Sequence, residues 1–323
     1  MTGNSSDTRS DHAKASLMPS RVLITDLDNT LYDWVTFFAH AFDAMVRELS
    51  QILSIERRVL LTEFREIHQR HGSTETPWAA LELPSARRKF PHGSTSDLAQ
   101  HLDPAFKAFS AERKRHLILY DNVARTLECL ANNDVAIIGH TEALPINAFY
   151  RLTLLEIINL FTRLYTMEGG TIDHPFPERL RTFPPPHLIR TLPLSERKPN
   201  PDVLLDICRR EGVDPQECLY VGDSLTRDVA MSKEAGVRAV WARYGTHYDP
   251  VLWGSIVEVT HWTSADVHRE SKLKEAFRNV TPDFIVDRFD ELLPLFGLPL
   301  VMERCSSDSR SAGSRSRERA TTR

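Results

Sequence analysis

The segment that decides the fold is VLITDLDNT, residues 22–30, in which an apolar run ends in two carboxylates, Asp26 and Asp28. The run predicts a buried strand, and the acids mark its carboxyl end. Like charges this close repel each other, so the pair needs a cation, a bound substrate or a shifted pKa to compensate it. An Asx turn, in which the acids only bond nearby backbone amides, remains the structural alternative for the motif taken alone.

Short apolar runs and helical patterns alternate through most of the chain. This pattern predicts an α/β fold with a Rossmann-like parallel sheet and helices on both of its faces. The predicted strands are residues 21–28, 135–141, 164–167, 218–223, 239–243 and 284–286. The predicted helices among them are residues 122–131, 202–211 and 228–235.

Residues 34–120 interrupt the alternation, because they carry helical periodicity and almost no strand signal. Predicted helices in this segment cover residues 34–53, 54–71, 96–102 and 104–119. We therefore expect an all-helical cap, inserted into a core made of residues 21–33 and 121–302. Residues 1–20 and the Ser/Arg tail 303–323 are too polar to bury a core, and we expect both to be disordered.

Composition narrows the class of protein. The chain has 323 residues, a net charge of −4 and 41% hydrophobic residues, which is typical of a globular enzyme and gives no electrostatic case for nucleic acid. The N-terminus lacks an apolar signal region and no membrane span is visible, so no membrane partner is expected. Four cysteines form no Cys-x-x-Cys pair, which favours a reduced, cytoplasmic protein without zinc or disulfides. The expected assembly is a monomer or a homodimer.

Polar residues collect where the predicted strands end, which is where open parallel sheets bind ligands. These residues are Asp26, Asp28, Thr141, Lys198, Asp223 and Asp228. A plain helix start at residues 198–201 and a simple turn at Gly222-Asp223 are the structural alternatives. Taken together and in this order along the chain, the six residues favour a catalytic site over these structural alternatives.

Each residue type answers a need of phosphoryl transfer, in which positioning and charge neutralisation supply most of the catalysis. We predict that Asp26 attacks phosphorus and forms an aspartyl-phosphate. Asp28 is predicted to be the general acid and base. Lys198 is predicted to offset the charge on Asp26 and on the phosphate.

Hard oxygen ligands around the nucleophile imply Mg²⁺ as the cofactor. The predicted metal ligands are Asp26, Asp28 through its backbone carbonyl, and Asp223. The predicted phosphate contacts are Thr141, Glu142, Asn29 and Thr30. Asp228 and Ser224 are predicted to support these groups, Asp228 by orienting Lys198 or a water.

With these residues, the chain resembles the haloacid dehalogenase-like (HAD) hydrolase superfamily with a helical C1-type cap, over about residues 21–300. Four segments carry the resemblance, namely residues 26–31, 137–141, 198–201 and 222–228. It implies a Rossmann-like core, Mg²⁺ dependence, an aspartyl-phosphate route and a cap that opens and closes. Phosphatases and phosphomutases of the superfamily carry an aspartate two residues after the nucleophile, and Asp28 resembles that residue. Dehalogenases of the superfamily lack this acid. The chain departs from the family at Glu142, where Asn is frequent, and in the 56 residues between Thr141 and Lys198.

The expected function is Mg²⁺-dependent hydrolysis of a small phosphorylated metabolite. The sequence of residues 26–32 is similar to the corresponding segment of pyrimidine nucleotidases, which suggests a nucleoside 5′-monophosphate as the substrate. Tyr32, Trp34 and the cap loop 72–84 with Trp78 lie where a base could stack, although aromatic side chains at helical spacing are more often core. A phosphomutase and a non-catalytic binding or regulatory module remain the alternatives.

Overall fold

The computed structural model describes residues 20–169, Ile172, Pro175 and residues 187–300. The two predicted disordered ends, apart from Ser20, and the proline-rich segment 183–186 lie outside the described residues. None of the helices in the described part is long and apolar enough to cross a membrane.

A seven-stranded parallel sheet forms the centre of the fold, in the order β4-β3-β2-β1-β5-β6-β7. The strands are β1 (Val22–Thr25), β2 (Ala136–His140), β3 (Arg163–Met167), β4 (Ile189–Leu192), β5 (Cys218–Gly222), β6 (Arg238–Ala242) and β7 (Phe284–Val286). The chain builds outward from β1 to β4 and then returns to β5, on the other side of β1. The topological switch point therefore lies between β1 and β5, and the prediction of a parallel α/β fold is confirmed.

Side chains along β1 alternate between the two faces of the sheet, and apolar residues cover both faces. Leu23 packs into the larger apolar cluster, whereas Val22 and Ile24 pack into a second cluster with residues of α8 and β5. All three side chains are at most 2% exposed. Such continuous burial is expected for a central parallel strand.

Five α-helices make up the helical segment, residues 34–120, which follows β1. They are α1 (Trp34–Leu53), α2 (Arg57–His71), α3 (Pro84–Lys89), α4 (Thr95–His101) and α5 (Asp103–His116). Asp33 begins α1 by accepting a hydrogen bond from the Thr36 backbone N–H, and Ser54 ends it in the left-handed conformation. The buried face of α1 is lined by apolar residues at three- and four-residue spacing, as the sequence predicts.

Six further α-helices follow along the chain. They are α6 (Val123–Ala131), α7 (Pro145–Leu154), α8 (Pro201–Glu211), α9 (Ala230–Glu234), α10 (Pro250–Val257) and α11 (Ser264–Ala276). Strand β4 and helices α3, α7, α10 and α11 were not predicted. Helix α11 has no buried residue and β4 only one, so both lack the periodic apolar pattern on which the prediction depends.

The predicted first strand, 21–28, is too long. Regular pairing stops at Thr25, because the chain turns back on itself: the Asn29 N–H donates to the Tyr32 carbonyl at 2.9 Å and Asn29 takes a positive φ of 57°. The Asp26 N–H still donates to the Val221 carbonyl of β5 at 2.9 Å. The predicted helix 228–235 also differs, since it begins as a π-helical turn at Leu225–Val229.

Residues 249–276, here called the strap, join the helical segment to the sheet. On one side, His68 Nδ1 lies 2.7 Å from the Val259 carbonyl, and the His261 N–H donates to Thr74 Oγ1 at 3.1 Å. On the other side, Arg269 donates to the Lys198 carbonyl at 2.9 Å. The strap therefore contacts both parts of the molecule.

The fold brings two cysteines together that are ten residues apart in the chain. Cys208 on α8 and Cys218 at the start of β5 are buried with their sulfurs 3.6 Å apart, and both are free thiols. Sequence spacing alone did not indicate this proximity.

Candidate active site

A buried lysine and two carboxylates form the centre of the site. Lys198 Nζ donates to Asp26 Oδ1 at 2.6 Å and to Asp228 Oδ1 at 2.8 Å. The three residues are at most 7% exposed. Lys198 reaches them from the loop before α8, so residues 172 positions apart meet at the carboxyl end of β1.

The charge state of this group follows from burial and from its partners. Burial raises the pKa of Asp26 to about 7, against the lowering effect of Lys198 and with a further increase from Asp228. Burial disfavours the Lys198 ammonium, but Asp228 and Asp26 outweigh it and hold the pKa of Lys198 well above its usual range. The ammonium is therefore retained where it can offset an anionic ligand.

Asp223 completes a cluster of three acids. Ligand oxygens of Asp26, Asp223 and Asp228 all lie within 4.8 Å of one another. Burial, together with Asp228 and Asp26, raises the pKa of Asp223 well above its usual range. Three carboxyl groups surround one ammonium, so the group offers several hard oxygen donors, which fits Mg²⁺.

Backbone details hold this cluster in place. A Cβ at Gly222 would lie 2.4 Å from the Asp228 side chain, so the residue before Asp223 must be small. Ser224 accepts a hydrogen bond from the Arg227 N–H, and its own N–H donates to Asp228 Oδ2 at 3.1 Å. Asp228 and Ser224 therefore stand beside Lys198 and Asp223, and their supporting role stays a prediction.

Asp28 turns away from this cluster towards a second buried cation. Arg151 on α7 donates to Asp28 Oδ1 at 2.5 Å and also to Glu75, which lies in the loop after α2. Arg151 is 2% exposed. Burial opposes its charge, yet the carboxylates of Asp28 and Glu75 raise the pKa of Arg151 well above its usual range. The second acid of the motif is thus held jointly by the sheet layer and the helical segment.

Comparison with known proteins identifies the family. Residues 21–236 match the family model described as haloacid dehalogenase-like hydrolase, and residues 195–292 match a HAD-hydrolase-like model. The chain belongs to the haloacid dehalogenase-like hydrolase family.

Individual relatives of this HAD-like hydrolase match over shorter stretches. It is 33% identical over 106 residues to phosphoglycolate phosphatase of Salmonella typhi, covering 33% of this chain and 32% of that protein. It is 37% identical over 71 residues to N-acetylmuramic acid 6-phosphate phosphatase of Pseudomonas aeruginosa, covering 21% of this chain and 31% of that protein. The chain thus spans about a third of the length of these curated relatives.

A solved structure shares the fold of this HAD-like hydrolase. A 2-haloacid dehalogenase from Pseudomonas syringae aligns with a TM-score of 0.52 at 18% identity, over 86% of this chain and 98% of the other. At this identity the likeness shows the fold alone.

The four residues predicted to contact phosphate have different hydrogen-bond partners in the structure. Thr30 is fully buried and donates to Asp26 Oδ2 at 3.3 Å, and Asn29 Oδ1 accepts from the Trp34 N–H at 3.1 Å. Thr141 follows β2 and accepts from the Ala143 N–H at 3.1 Å. Phosphate binding by these groups stays a prediction.

Glu142, the fourth of these residues, departs most clearly from the family pattern. Its Oε2 accepts from Arg227 Nη1 at 2.9 Å, so its charge is already paired. Arg227 also donates to Glu270 of the strap at 3.0 Å. An acid beside the predicted phosphate position is thus tolerated here because a neighbouring guanidinium compensates it.

Sequence reasoning missed several residues at the site. Arg151 and Glu75 were not predicted, since neither belongs to a recognisable motif. Tyr220 O–H donates to Asp228 Oδ1 at 3.2 Å, and Tyr244 O–H donates to the Thr30 carbonyl at 2.6 Å. A Cβ at Gly245 would lie 1.8 Å from the Asn29 carbonyl oxygen, so this glycine permits close approach to the motif loop. For Tyr220, Tyr244 and Gly245 the available signal was their position inside or just after predicted strands, whereas no such signal marked Arg151 or Glu75.

Proposed function

We propose that this HAD-like hydrolase is a Mg²⁺-dependent phosphomonoesterase that acts on a small phosphorylated metabolite through an aspartyl-phosphate on Asp26. The observation that carries the proposal is the contact of buried Lys198 with Asp26 inside a cluster of three carboxylates. A second acid, Asp28, stands two residues along the same loop. The phosphatase names of both curated relatives support the same reaction class.

The proposed reaction has two steps, formation and hydrolysis of the aspartyl-phosphate. Asp26 Oδ2, which is not bonded to Lys198, attacks phosphorus while the ester P–O bond breaks and the leaving oxygen takes a proton from Asp28. In the second step Asp28 accepts a proton from a water whose oxygen attacks the same phosphorus. The bond to Asp26 then breaks, which releases phosphate and restores the Asp26 carboxylate and the protonated Asp28. Lys198 stabilises negative charge in each step.

The metal position follows from the donor set. Asp26, Asp223 and the Asp28 carbonyl would hold Mg²⁺, with Asp228 kept beside Lys198. Bound there, the ion would neutralise phosphate charge, so that the anionic Asp26 could approach an anionic ester. Removal of the ion with a chelator is therefore expected to abolish turnover.

A nucleoside 5′-monophosphate remains the proposed test case for the substrate, on the strength of the similarity of residues 26–32 to pyrimidine nucleotidases. We also propose a reducing, cytoplasmic setting, supported by the free thiols of Cys129, Cys208 and Cys218. A monomer or homodimer is the proposed assembly, and sedimentation would measure it.

The experiment compares the wild type with Asp26→Asn and Asp28→Asn on p-nitrophenyl phosphate and 2-phosphoglycolate. Turnover should require Mg²⁺ and fall by at least about 10³-fold in both variants. Asp121→Asn, at an exposed position, is the matched control and should retain full activity. Acid quenching during turnover should leave the mass of one phosphoryl group on Asp26. Robust turnover by Asp26→Asn, or a folded wild type that hydrolyses no phosphate ester, contradicts the proposal.

A further inference from the structure

Helix α11 belongs to the strap and lies in the connection between β6 and β7. None of its residues is buried, and Val267 on it is 57% exposed, so apolar burial does little to fix its position. Three charged residues, Asp266, Arg269 and Glu270, lie at spacings of three and four residues and therefore share one face of the helix. The contacts of this face place α11 against the segments that carry the site.

Two of these residues hold the loop that carries Lys198. Arg269 Nη2 donates to the Lys198 carbonyl at 2.9 Å. Asp266 Oδ1 accepts from Nη1 of the preceding residue, Arg197, at 3.1 Å. The other oxygen of Asp266 accepts from the Thr263 N–H at 2.9 Å, at the start of α11. Against the effect of burial, Thr263 and Arg197 lower the pKa of Asp266 to about 2, so this carboxylate stays charged and joins the loop to the helix.

The third residue, Glu270, holds the turn that carries Asp228. Glu270 Oε2 accepts from Nη2 of Arg227, the residue before Asp228, at 3.0 Å. Arg227 also donates to Glu142, which follows Thr141 after β2, at 2.9 Å. Burial opposes the charge of Arg227, but Glu142 and Glu270 outweigh it and hold the pKa of Arg227 above its usual range. The guanidinium therefore links the turn to α11 as a charged group.

The loop and the turn together decide where the Lys198 ammonium lies. Lys198 Nζ donates to Asp26 at 2.6 Å and to Asp228, in the turn, at 2.8 Å. Hydrogen bonds from N–H to oxygen are limited to about 2.7–3.2 Å, so a shift of about 1 Å between loop and turn would break one of these contacts. Because α11 contacts both segments, it fixes the distance between them.

We propose that α11 is a positioning helix, in which Arg269 and Glu270 hold the Lys198 ammonium against its two carboxylate partners. The inference rests on the proposed phosphomonoesterase function and adds residues that act on that site from outside it. Arg269 acts through the Lys198 backbone and Glu270 acts through Arg227, so neither is a catalytic residue. Their loss should lower kcat more than it changes KM, because the proposed metal ligands and phosphate contacts are not altered.

The first experiment measures kcat and KM of the full chain for p-nitrophenyl phosphate with Mg²⁺. Arg269→Met should lower kcat by about tenfold and change KM by less than about threefold. Arg269→Lys keeps a cationic donor at this position and should recover at least about threefold of the lost kcat. The matched control is Arg278→Met, which removes an exposed guanidinium paired with Glu275 just after the same helix and should behave as wild type.

Glu270→Met tests the contact with the turn. It should lower kcat by about threefold, a smaller loss than in Arg269→Met, because Glu142 still holds Arg227. Wild-type kcat in Arg269→Met overturns the proposal, and so does an equal loss of kcat in Arg278→Met. A rise in KM at unchanged kcat also contradicts it, since that result assigns α11 to substrate binding.

Hydrogen exchange of the free protein separates this inference from the proposed function, since it needs no turnover. The N–H groups of Glu196 and Arg197 are hydrogen-bonded within the loop, so their protection can be followed. Arg269→Met should speed the exchange of residues 194–200 by at least about threefold and leave β1 unchanged. Faster exchange supports the hold of α11 on the loop even when no ester is hydrolysed. Unchanged exchange in this segment contradicts the proposal, whatever the outcome for hydrolysis.

Discussion

Asp26 and Asp28 stand two residues apart, yet each is held by a different buried cation. Lys198 holds Asp26 together with Asp228, and all three residues lie at the carboxyl edge of the sheet, Asp228 in the helical turn after β5. Arg151 holds Asp28 together with Glu75, which comes from the helical segment. The nucleophile is therefore placed by the sheet alone, whereas the proposed acid depends on how the helical segment sits.

The largest expected effect comes from removing the cation at Asp26. Lys198→Met leaves Asp26 and Asp228 as buried carboxyl groups without a cationic partner, which should lower the free energy of unfolding by about 3–5 kcal/mol. Turnover should fall by at least about 10³-fold, because the ammonium no longer offsets phosphate charge. Urea unfolding and steady-state kinetics measure the two effects.

Lys233→Met is the matched control for this change. Lys233 pairs with Asp283 at the surface, so its loss should alter the free energy of unfolding by less than about 1 kcal/mol and leave turnover intact. Equal losses in the two variants would show that the Asp26 contact has no special role.

Breaking the second pair should have a smaller effect on catalysis. Arg151→Met removes the hydrogen bond that holds the Asp28 side chain in one orientation. We expect kcat to fall by about 10²-fold while the affinity for inorganic phosphate is kept. Glu75→Gln in the same chain removes the acid that is left unpaired, so it should recover stability without recovering kcat. A double variant with wild-type kcat would show that Arg151 only stabilises the fold.

The loop that carries both acids offers a third test. Gly245→Ala brings a methyl group within 1.8 Å of the Asn29 carbonyl, so the loop must move and kcat should fall by about tenfold. Gly254→Ala in α10 is the control, since nothing lies within 4 Å of the added atom and the free energy of unfolding should rise by about 0.5–1 kcal/mol. Unchanged kcat in Gly245→Ala would show that the loop adapts.

The smallest effect on turnover is expected at the junction of strap and helical segment. Burial lowers the pKa of His68 to about 4, against the Val259 carbonyl and with repulsion from His261 and His71. The unfolded chain therefore binds more protons than the folded one between about pH 6.5 and pH 4, and stability falls as pH drops through this window, by up to about 3 kcal/mol. Above about pH 6.5 His68 is neutral in both the folded and the unfolded chain, so the free energy of unfolding no longer changes with pH through this residue.

Urea unfolding at pH 7.5 and pH 5 measures this dependence. His68→Gln keeps a donor for the Val259 carbonyl but cannot take up a proton, so its stability should change less between the two values of pH. His92→Gln, at an exposed position, should behave like the wild type. Identical pH dependence in wild type and His68→Gln would contradict the role of His68.

Sequence patterns predicted the centre of the site better than its surroundings. Asp26, Lys198, Asp223 and Asp228 follow apolar runs or open a helix, so their meeting at one sheet edge could be inferred from parallel topology. Arg151 follows no such run. It lies on α7, whose start at Pro145 was not predicted, and its partner Glu75 comes from a loop without periodicity.

The amino-acid sequence by itself determined the parallel sheet and the set of acids and lysine at its edge, because strand periodicity and the position of polar residues after each strand are local properties. Only the tertiary structure decided which cation holds which acid. Those contacts join residues 123 positions apart, such as Arg151 and Asp28, and depend on how α7 and the helical segment pack against the sheet. No local pattern encodes that packing, since it is set by the fit of distant surfaces.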